Sequence, residues 1–436
     1  MNPAKPLTSV TPYEGYVYAY PHKTAYRPLR PEPELGDVWA DESRDALFLY
    51  LHVPFCEMRC GFCNLFTRTG APEELTGAYL DALERQASAV RDALGDDALF
   101  ATAAFGGGTP TYLTASELER LCDIAGRFGD LAAIPLGVET SPATATTDRL
   151  TVLRDRGTTR VSIGVQSFVD AEARAAVRPQ KRTEVEAALD RIRAVGFPIL
   201  NIDLIYGIDG QTPQTWLHSL DSALTWKPEE LYLYPLYVRP LTGLGRQGRD
   251  WDDQRLELYR IGRDHLLANG YEQVSMRMFR LAGSGSGGTE YCCQTDGMVG
   301  LGCGARSYTS ELHYSFEYAV GTSQVRGIID AYVGENDFGT ARVGFTLDDE
   351  ERRRRHFIQS LLQAAGLERA AYRERFGTDA ADDFRQETAT FANHGWLDLE
   401  ENAIRLTAEG LAYSDAIGPA LFSGRVRGLM DSYEAR

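Results

Sequence analysis

From residue 46 onward, short apolar runs alternate with amphipathic stretches, and the alternation repeats six times. The runs ALFLYLHV (46–53), ATAAF (101–105), IPLGVET (134–140), RVSIGV (160–165), ILNIDLIYG (199–207) and LYLYPL (231–236) have the length and composition of buried strands. Between them, apolar residues recur at three- and four-residue spacing over 74–93, 115–128, 143–156, 183–195, 212–225 and 252–269, which predicts helices. Strand and helix in regular alternation predict parallel βα units and an α/β fold. Six units fit an open barrel better than a closed eight.

Both flanks break the pattern. Residues 1–45 are rich in Pro and Tyr without periodicity and read as an extended arm packed on the next domain. Beyond 270 come a Gly/Ser stretch (282–288) and a Gly-rich turn region (300–307). From about 345, Arg- and Glu-rich helical segments lead to HGWLDLEENAIRLTAEG. There two short strands around an acidic turn precede a helix capped by Thr407, an arrangement that resembles a winged-helix module. The expected division is an arm (1–45), a partial barrel (46–270), a barrel extension on the substrate side (271–344) and a mostly helical C-terminal domain (345–436).

Composition narrows the function classes. Hydrophobic residues at 43% and charged ones at 25% suit a globular protein with a sizeable core. The 62 acidic against 45 basic residues give a net charge of −17, which repels phosphate backbones and anionic lipid. Nucleic acid is therefore not an expected partner, and a DNA-binding role for the C-terminal module conflicts with this charge. MNPAKPLTSVTPYEG has no signal-peptide pattern and no apolar run reaches membrane-spanning length, so a cytoplasmic protein without a membrane partner is expected.

Three of the seven cysteines fall within eight positions, in HVPFCEMRCGFCN directly after the first strand. Cys56, Cys60 and Cys63 thus lie on a loop at the carboxyl end of a barrel strand, the active-site face of such folds. A C-x3-C-x2-C loop places three thiolates around three irons of a cubane, and without a fourth local cysteine one iron stays open. An open iron can chelate the amino and carboxylate groups of S-adenosylmethionine (SAM) and pass an electron to its sulfonium, giving a 5′-deoxyadenosyl radical. The rival is zinc, which prefers four closed ligands, or three that include His; His52 is close but on the strand.

Preceded by Leu49 and Tyr50, HVPFCEMRCGFC resembles the radical SAM family of oxygen-independent coproporphyrinogen III oxidases and their HemN/HemW-like relatives, over most of 46–425. The resemblance implies a partial (β/α)6 radical SAM barrel with an N-terminal arm and a winged-helix-like C-terminal domain. It also implies a [4Fe-4S] cluster, SAM (two molecules in some members), a small-molecule substrate and an external low-potential electron donor. FGGGTPTYL matches the family's loop for the SAM amino group, through Gly106, Gly107, Gly108, Thr109 and Pro110; glycines also let a backbone approach a ligand and offer it N–H groups.

Glu139 in VETSP matches a carboxylate near SAM. In RVSIGVQSF, Arg160, Ser162 and Gln166 alternate onto one strand face, and Gln166 matches a contact to the SAM ribose region. Arg178 matches the arginine that pairs with a SAM carboxylate, although Val177 stands where the family usually has Asn. Asp203 in NIDLIYGIDGQT suits ribose hydroxyls, Phe62 is placed to flank adenine, and Tyr50 joins these cofactor-binding positions.

Two departures concern substrate. Leu65 stands where the oxidases have a further cysteine, and the His-Asn and Tyr-Trp of the haem-chaperone branch are replaced within GTEYCCQTDGMVGLGCGARSY. The adjacent Cys292 and Cys293 border the region that faces substrate in relatives, and Cys303 reads as a packing residue in a close turn. The expected function is SAM cleavage with the radical acting on a small, conjugated or tetrapyrrole-like molecule, by oxidative decarboxylation or radical methyl transfer. The alternative is a non-catalytic haem or cluster carrier of the HemW type.

Overall fold

The computed structural model describes residues 11–238, 242–245, 253–284 and 295–433. Six parallel strands pair in chain order: β1 (Leu47–Val53), β2 (Phe100–Gly107), β3 (Leu136–Thr140), β4 (Thr158–Gln166), β5 (Ile199–Tyr206) and β6 (Glu230–Pro235). The helices that follow them are α1 (Glu73–Leu94), α2 (Ala115–Gly126), α3 (Thr147–Asp155), α4 (Arg182–Val195), α5 (Pro213–Leu224) and α6 (Arg255–Ala268). The apolar periods locate each of these elements, because each helix buries one stripe on the sheet and each strand buries its outer row. In β4 that row is Val161, Ile163 and Val165, all fully buried.

The sheet continues past both ends of the six. Met298–Leu301 adds in parallel beside β1, followed by antiparallel Arg306–Tyr308, Leu312–Ser315, Val343–Thr346 and the arm's Arg27–Pro28. Beyond β6 lie antiparallel Met278–Leu281 and Tyr271–Gln273. The thirteen strands form one open order whose two edges do not pair among the described residues. The Gly-rich 300–307 run, expected as a turn, begins inside a strand. A side chain at Gly300 would meet the Arg306 carbonyl oxygen at 2.1 Å, so glycine there permits a tight hairpin. Cys303 is buried in the main core, whereas Cys292 and Cys293 lie outside the described residues.

A second core gathers Phe357, Ile358, Leu361, Tyr372, Phe384, Leu397, Ile404 and Ile417 with Tyr20, Ala25 and Tyr26 of the arm. Here Leu397–Leu399 and Ala403–Leu406 form the expected hairpin, joined by Leu367–Glu368 as a third strand. Thr407 caps the next helix by accepting the Gly410 N–H at 3.0 Å. Among the described residues no helix is long and apolar enough to cross a membrane.

Candidate functional site

β1 delivers the chain into the cysteine loop. A two-residue parallel ladder, Phe55–Cys56 against Arg68–Thr69, closes that loop at its base. Within it the Cys63 N–H donates to the Cys60 carbonyl at 3.1 Å, and Gly61 docks on the chain around Arg178 through its N–H to the Ala176 carbonyl at 3.1 Å. The three thiols are free, with Cys60 buried and the other two half-buried. Arg178 Nη1 donates to Cys60 Sγ at 3.1 Å and Thr109 Oγ1 to Cys56 Sγ at 3.5 Å. Burial pushes the Cys56 thiol up to about 12 and raises that of Cys63. Thiols so disfavoured as bare anions, with donors already aimed at two sulfurs, suit ligation by a cationic iron centre that holds them deprotonated.

His52 is committed elsewhere. Its Nε2 lies 3.1 Å from the Phe66 carbonyl and its Nδ1 3.3 Å from the Tyr50 hydroxyl, and burial lowers its pKa to about 4. The ring occupies space left by Gly107, where a Cβ would sit 2.4 Å from Cε1 and φ is +110°. The neighbouring glycines serve similar ends: a Cβ on Gly106 would meet the Glu139 carboxyl at 3.1 Å, and one on Gly108 the Phe55 carbonyl at 2.6 Å. The N–H groups expected to face a ligand are partly spent within the protein. Gly107 donates to Glu139 Oε2 at 3.1 Å, Gly108 to the Val53 carbonyl and Thr109 to the Phe55 carbonyl, both at 2.8 Å.

The polar residues of β3 to β6 meet on one face of the sheet. Glu139, near the end of β3, is exposed on that face. Its pKa rises to about 7, through burial first and the charge of Asp203 second. Asp203 on β5 is likewise raised by burial, and it accepts from Asn201 Nδ2 at 2.7 Å and Ser162 Oγ at 3.3 Å. Arg160 pairs with buried Glu230 at 2.6 Å. Gln166 does not reach this face by simple alternation. The β4–β5 register shifts between Gly164 and Gln166, and Gln166 takes φ +70° so that its amide lies over Gly164. Phe62 packs beside Ala176, Ile205, Ile208, Leu236 and Leu244, while Tyr50 lies against Ala19, Met298 and Tyr308.

Arg178 is held by three acceptors: Cys60 Sγ, the Gly164 carbonyl at 2.6 Å and Gln180 Oε1 at 2.7 Å. Val177 before it has φ +52°, a left-handed backbone that favours Asn over a β-branched residue. The sequence reading missed Asn201 and Glu230, whose polarity inside apolar strands was the available signal. Tyr16 of the arm and Tyr232 and Tyr234 of β6 carry no motif that marks a site, and ring contacts join Tyr16 to Tyr234 and Tyr234 to Tyr232.

Comparison with known proteins adds three findings. Residues 50–223 match the model of the radical SAM superfamily, and residues 347–413 match that of the HemN C-terminal domain. Among curated proteins, the chain is 29% identical over 371 residues to the haem chaperone HemW of Bacillus subtilis, covering 83% of this chain and 95% of that one. It is 28% identical over 416 residues to the oxygen-independent coproporphyrinogen III oxidase of Paracoccus denitrificans, covering 90% of each. The fold superposes on the solved structure of coproporphyrinogen III oxidase (HemN) from Escherichia coli with a TM-score of 0.76 at 24% identity, covering 96% of this chain and 98% of that one.

Proposed function

Because the chain belongs to the radical SAM superfamily, in its HemN/HemW-like family, we propose that it carries a [4Fe-4S] cluster on Cys56, Cys60 and Cys63 and cleaves SAM to generate a radical that acts on a small, tetrapyrrole-like substrate. The observation that carries this reading is the placement of the three-cysteine loop, with Arg178 and Thr109 donating to two of its sulfurs, beside the strand ends that bear Glu139, Gln166 and Asp203. When bound, the cluster supplies the electron that breaks a carbon–sulfur bond of SAM.

The chain's own residues hold and orient SAM. The Glu139 carboxylate would receive the SAM ammonium beside Gly107, Gly108 and Thr109, and Asp203 would accept from the ribose hydroxyls with Gln166 alongside. Phe62 flanks the adenine, and Tyr50 completes the set. Arg178 stays near the SAM carboxylate while donating to Cys60. The cluster would take its electron from an external low-potential donor, and methyl transfer would call for a second SAM. Relatives named as coproporphyrinogen oxidases support oxidative decarboxylation, with radical methyl transfer as the other route. The division at about residues 45, 270 and 345 assigns substrate contacts to the arm and to 271–344.

The test is anaerobic reconstitution, addition of SAM and a low-potential reductant, and detection of 5′-deoxyadenosine. Its absence from the wild-type protein, or its persistence in Cys60→Ala, would sink the proposal; S-adenosylhomocysteine formed alongside selects methyl transfer. The relative named as a haem chaperone favours one other reading, a haem carrier. Titration with haem decides it, since an unshifted Soret band removes that role.

A further inference from the structure

Four cations, Arg277 buried and Arg160, Lys23 and Arg306 half-buried, fall into two groups. Arg160 pairs with Glu230 and Arg277 with Asp415, as expected in an acidic chain. Lys23 of the arm and Arg306 of the hairpin beside β1 have no carboxylate partner among the described residues. Lys23 Nζ sits 3.6 Å from the centre of the Tyr318 ring, and the Tyr318 hydroxyl donates to the carbonyl of Asn64, the residue after Cys63, at 3.2 Å. The Arg306 guanidinium carbon lies 4.6 Å from the centre of the Tyr18 ring, its Nη1 donates to the Tyr18 hydroxyl at 2.6 Å, and its Nε is buried without an acceptor.

Burial and the charge of Arg306 favour the neutral Lys23 amine, which an anion alongside would hold protonated. Holding two like charges partly out of water is costly unless an anion compensates. Ring faces recover part of that cost. They leave the Arg306 Nε without an acceptor, and it belongs to the fork that grips a carboxylate.

We propose that Lys23 and Arg306 form a carboxylate-binding site beside the cysteine loop, which takes an acidic group of the substrate while the Tyr18 and Tyr318 rings contact its conjugated body. This rests on the function proposed above only in treating the interior as the substrate's place. The arm thereby contributes directly to substrate choice: Lys23 supplies charge and Tyr18 fixes the guanidinium.

The test is calorimetric titration of the cluster-loaded protein at low ionic strength with isophthalate, its neutral diamide isophthalamide, and inorganic phosphate. Isophthalate should bind about tenfold more tightly than the diamide, and Lys23→Gln and Arg306→Gln should each weaken it by about tenfold. Arg306→Lys should recover part of the loss with unchanged iron content, which separates binding from misfolding. Four results would overturn the site: no binding of isophthalate, equal binding of the diamide, full affinity in the Gln variants, or phosphate binding as tight as isophthalate. Loss of iron from the Gln variants at unchanged isophthalate affinity would also overturn it, by showing that the two cations serve the cluster. If 5′-deoxyadenosine forms but isophthalate shows no preference, this inference alone fails. If the preference holds without 5′-deoxyadenosine, the anion site stands and the functional reading falls.

Discussion

Glu139 has to carry charge beside Asp203, in surroundings that raise its pKa. With its pKa near 7, the carboxyl is neutral below that pH and ionised above it. In the ligand-free protein a raised acid pKa contributes stability at low pH that is lost as pH rises through 7. A bound ammonium reverses the preference, since it needs the carboxylate. SAM should therefore bind about tenfold more weakly at pH 6 than at pH 8, and Glu139→Gln should bind weakly at both. Equilibrium dialysis checks this; equal wild-type affinity at the two values would remove Glu139 from the SAM contacts.

Val177 makes a different point. A β-branched residue at φ +52° stores strain, and here it packs over Gly61 of the cysteine loop, where an added Cβ would lie 2.7 Å away. Val177→Asn should raise stability by about 1 kcal/mol in denaturant unfolding. A loss of stability would speak against the left-handed backbone. Cysteine spacing and strand-end carboxylates are legible in a sequence because chemistry restricts the residue types. The φ of Val177 is not, because valine itself argues for extended backbone.

Among the elements, β1 to β6 and the helices between them were legible for a related reason: each one's burial is written in its own period. The Met298–Leu301 strand was not. Its glycine and its Gly-rich sequel read as a turn, and it becomes a strand only through pairing with β1 on one side and Arg306–Tyr308 on the other. The bulge in β4 was equally invisible, since the sequence alternates smoothly through Val165 while the backbone does not. The C-terminal hairpin and its helix cap were readable because Thr followed by an apolar helical stripe has a local cause. Thr407 also donates to the Gly395 carbonyl at 2.9 Å, so one side chain ties the helix start to the turn before the hairpin. Thr407→Ala should cost about 1 kcal/mol, and Thr407→Ser should restore most of it. Thermal unfolding of both variants measures the difference; an equal loss in Ser would move the effect from the hydroxyl to the methyl.

Across the whole molecule, the arm, the sheet edge and the C-terminal region converge on one buried ion pair that no local pattern announces. Arg277, just before Met278–Leu281, pairs with Asp415, 138 residues later, and both side chains are almost fully buried. The Tyr237 hydroxyl donates to the same carboxylate at 2.5 Å, and the guanidinium carbon lies 3.8 Å from the centre of the arm's Tyr16 ring. Two buried charges are costly alone and tolerable together. Removing one should therefore do more damage than removing both. Asp415→Leu should destabilise by about 3–5 kcal/mol, since it leaves Arg277 buried without a counter-charge, whereas Arg277→Met with Asp415→Leu should recover most of that loss. Urea unfolding of the two singles and the double closes the cycle. If the double variant is as unstable as the sum of the singles, Arg277 and Asp415 act independently, and the arm is held to the C-terminal region by apolar contacts such as Tyr20 with Phe422 instead.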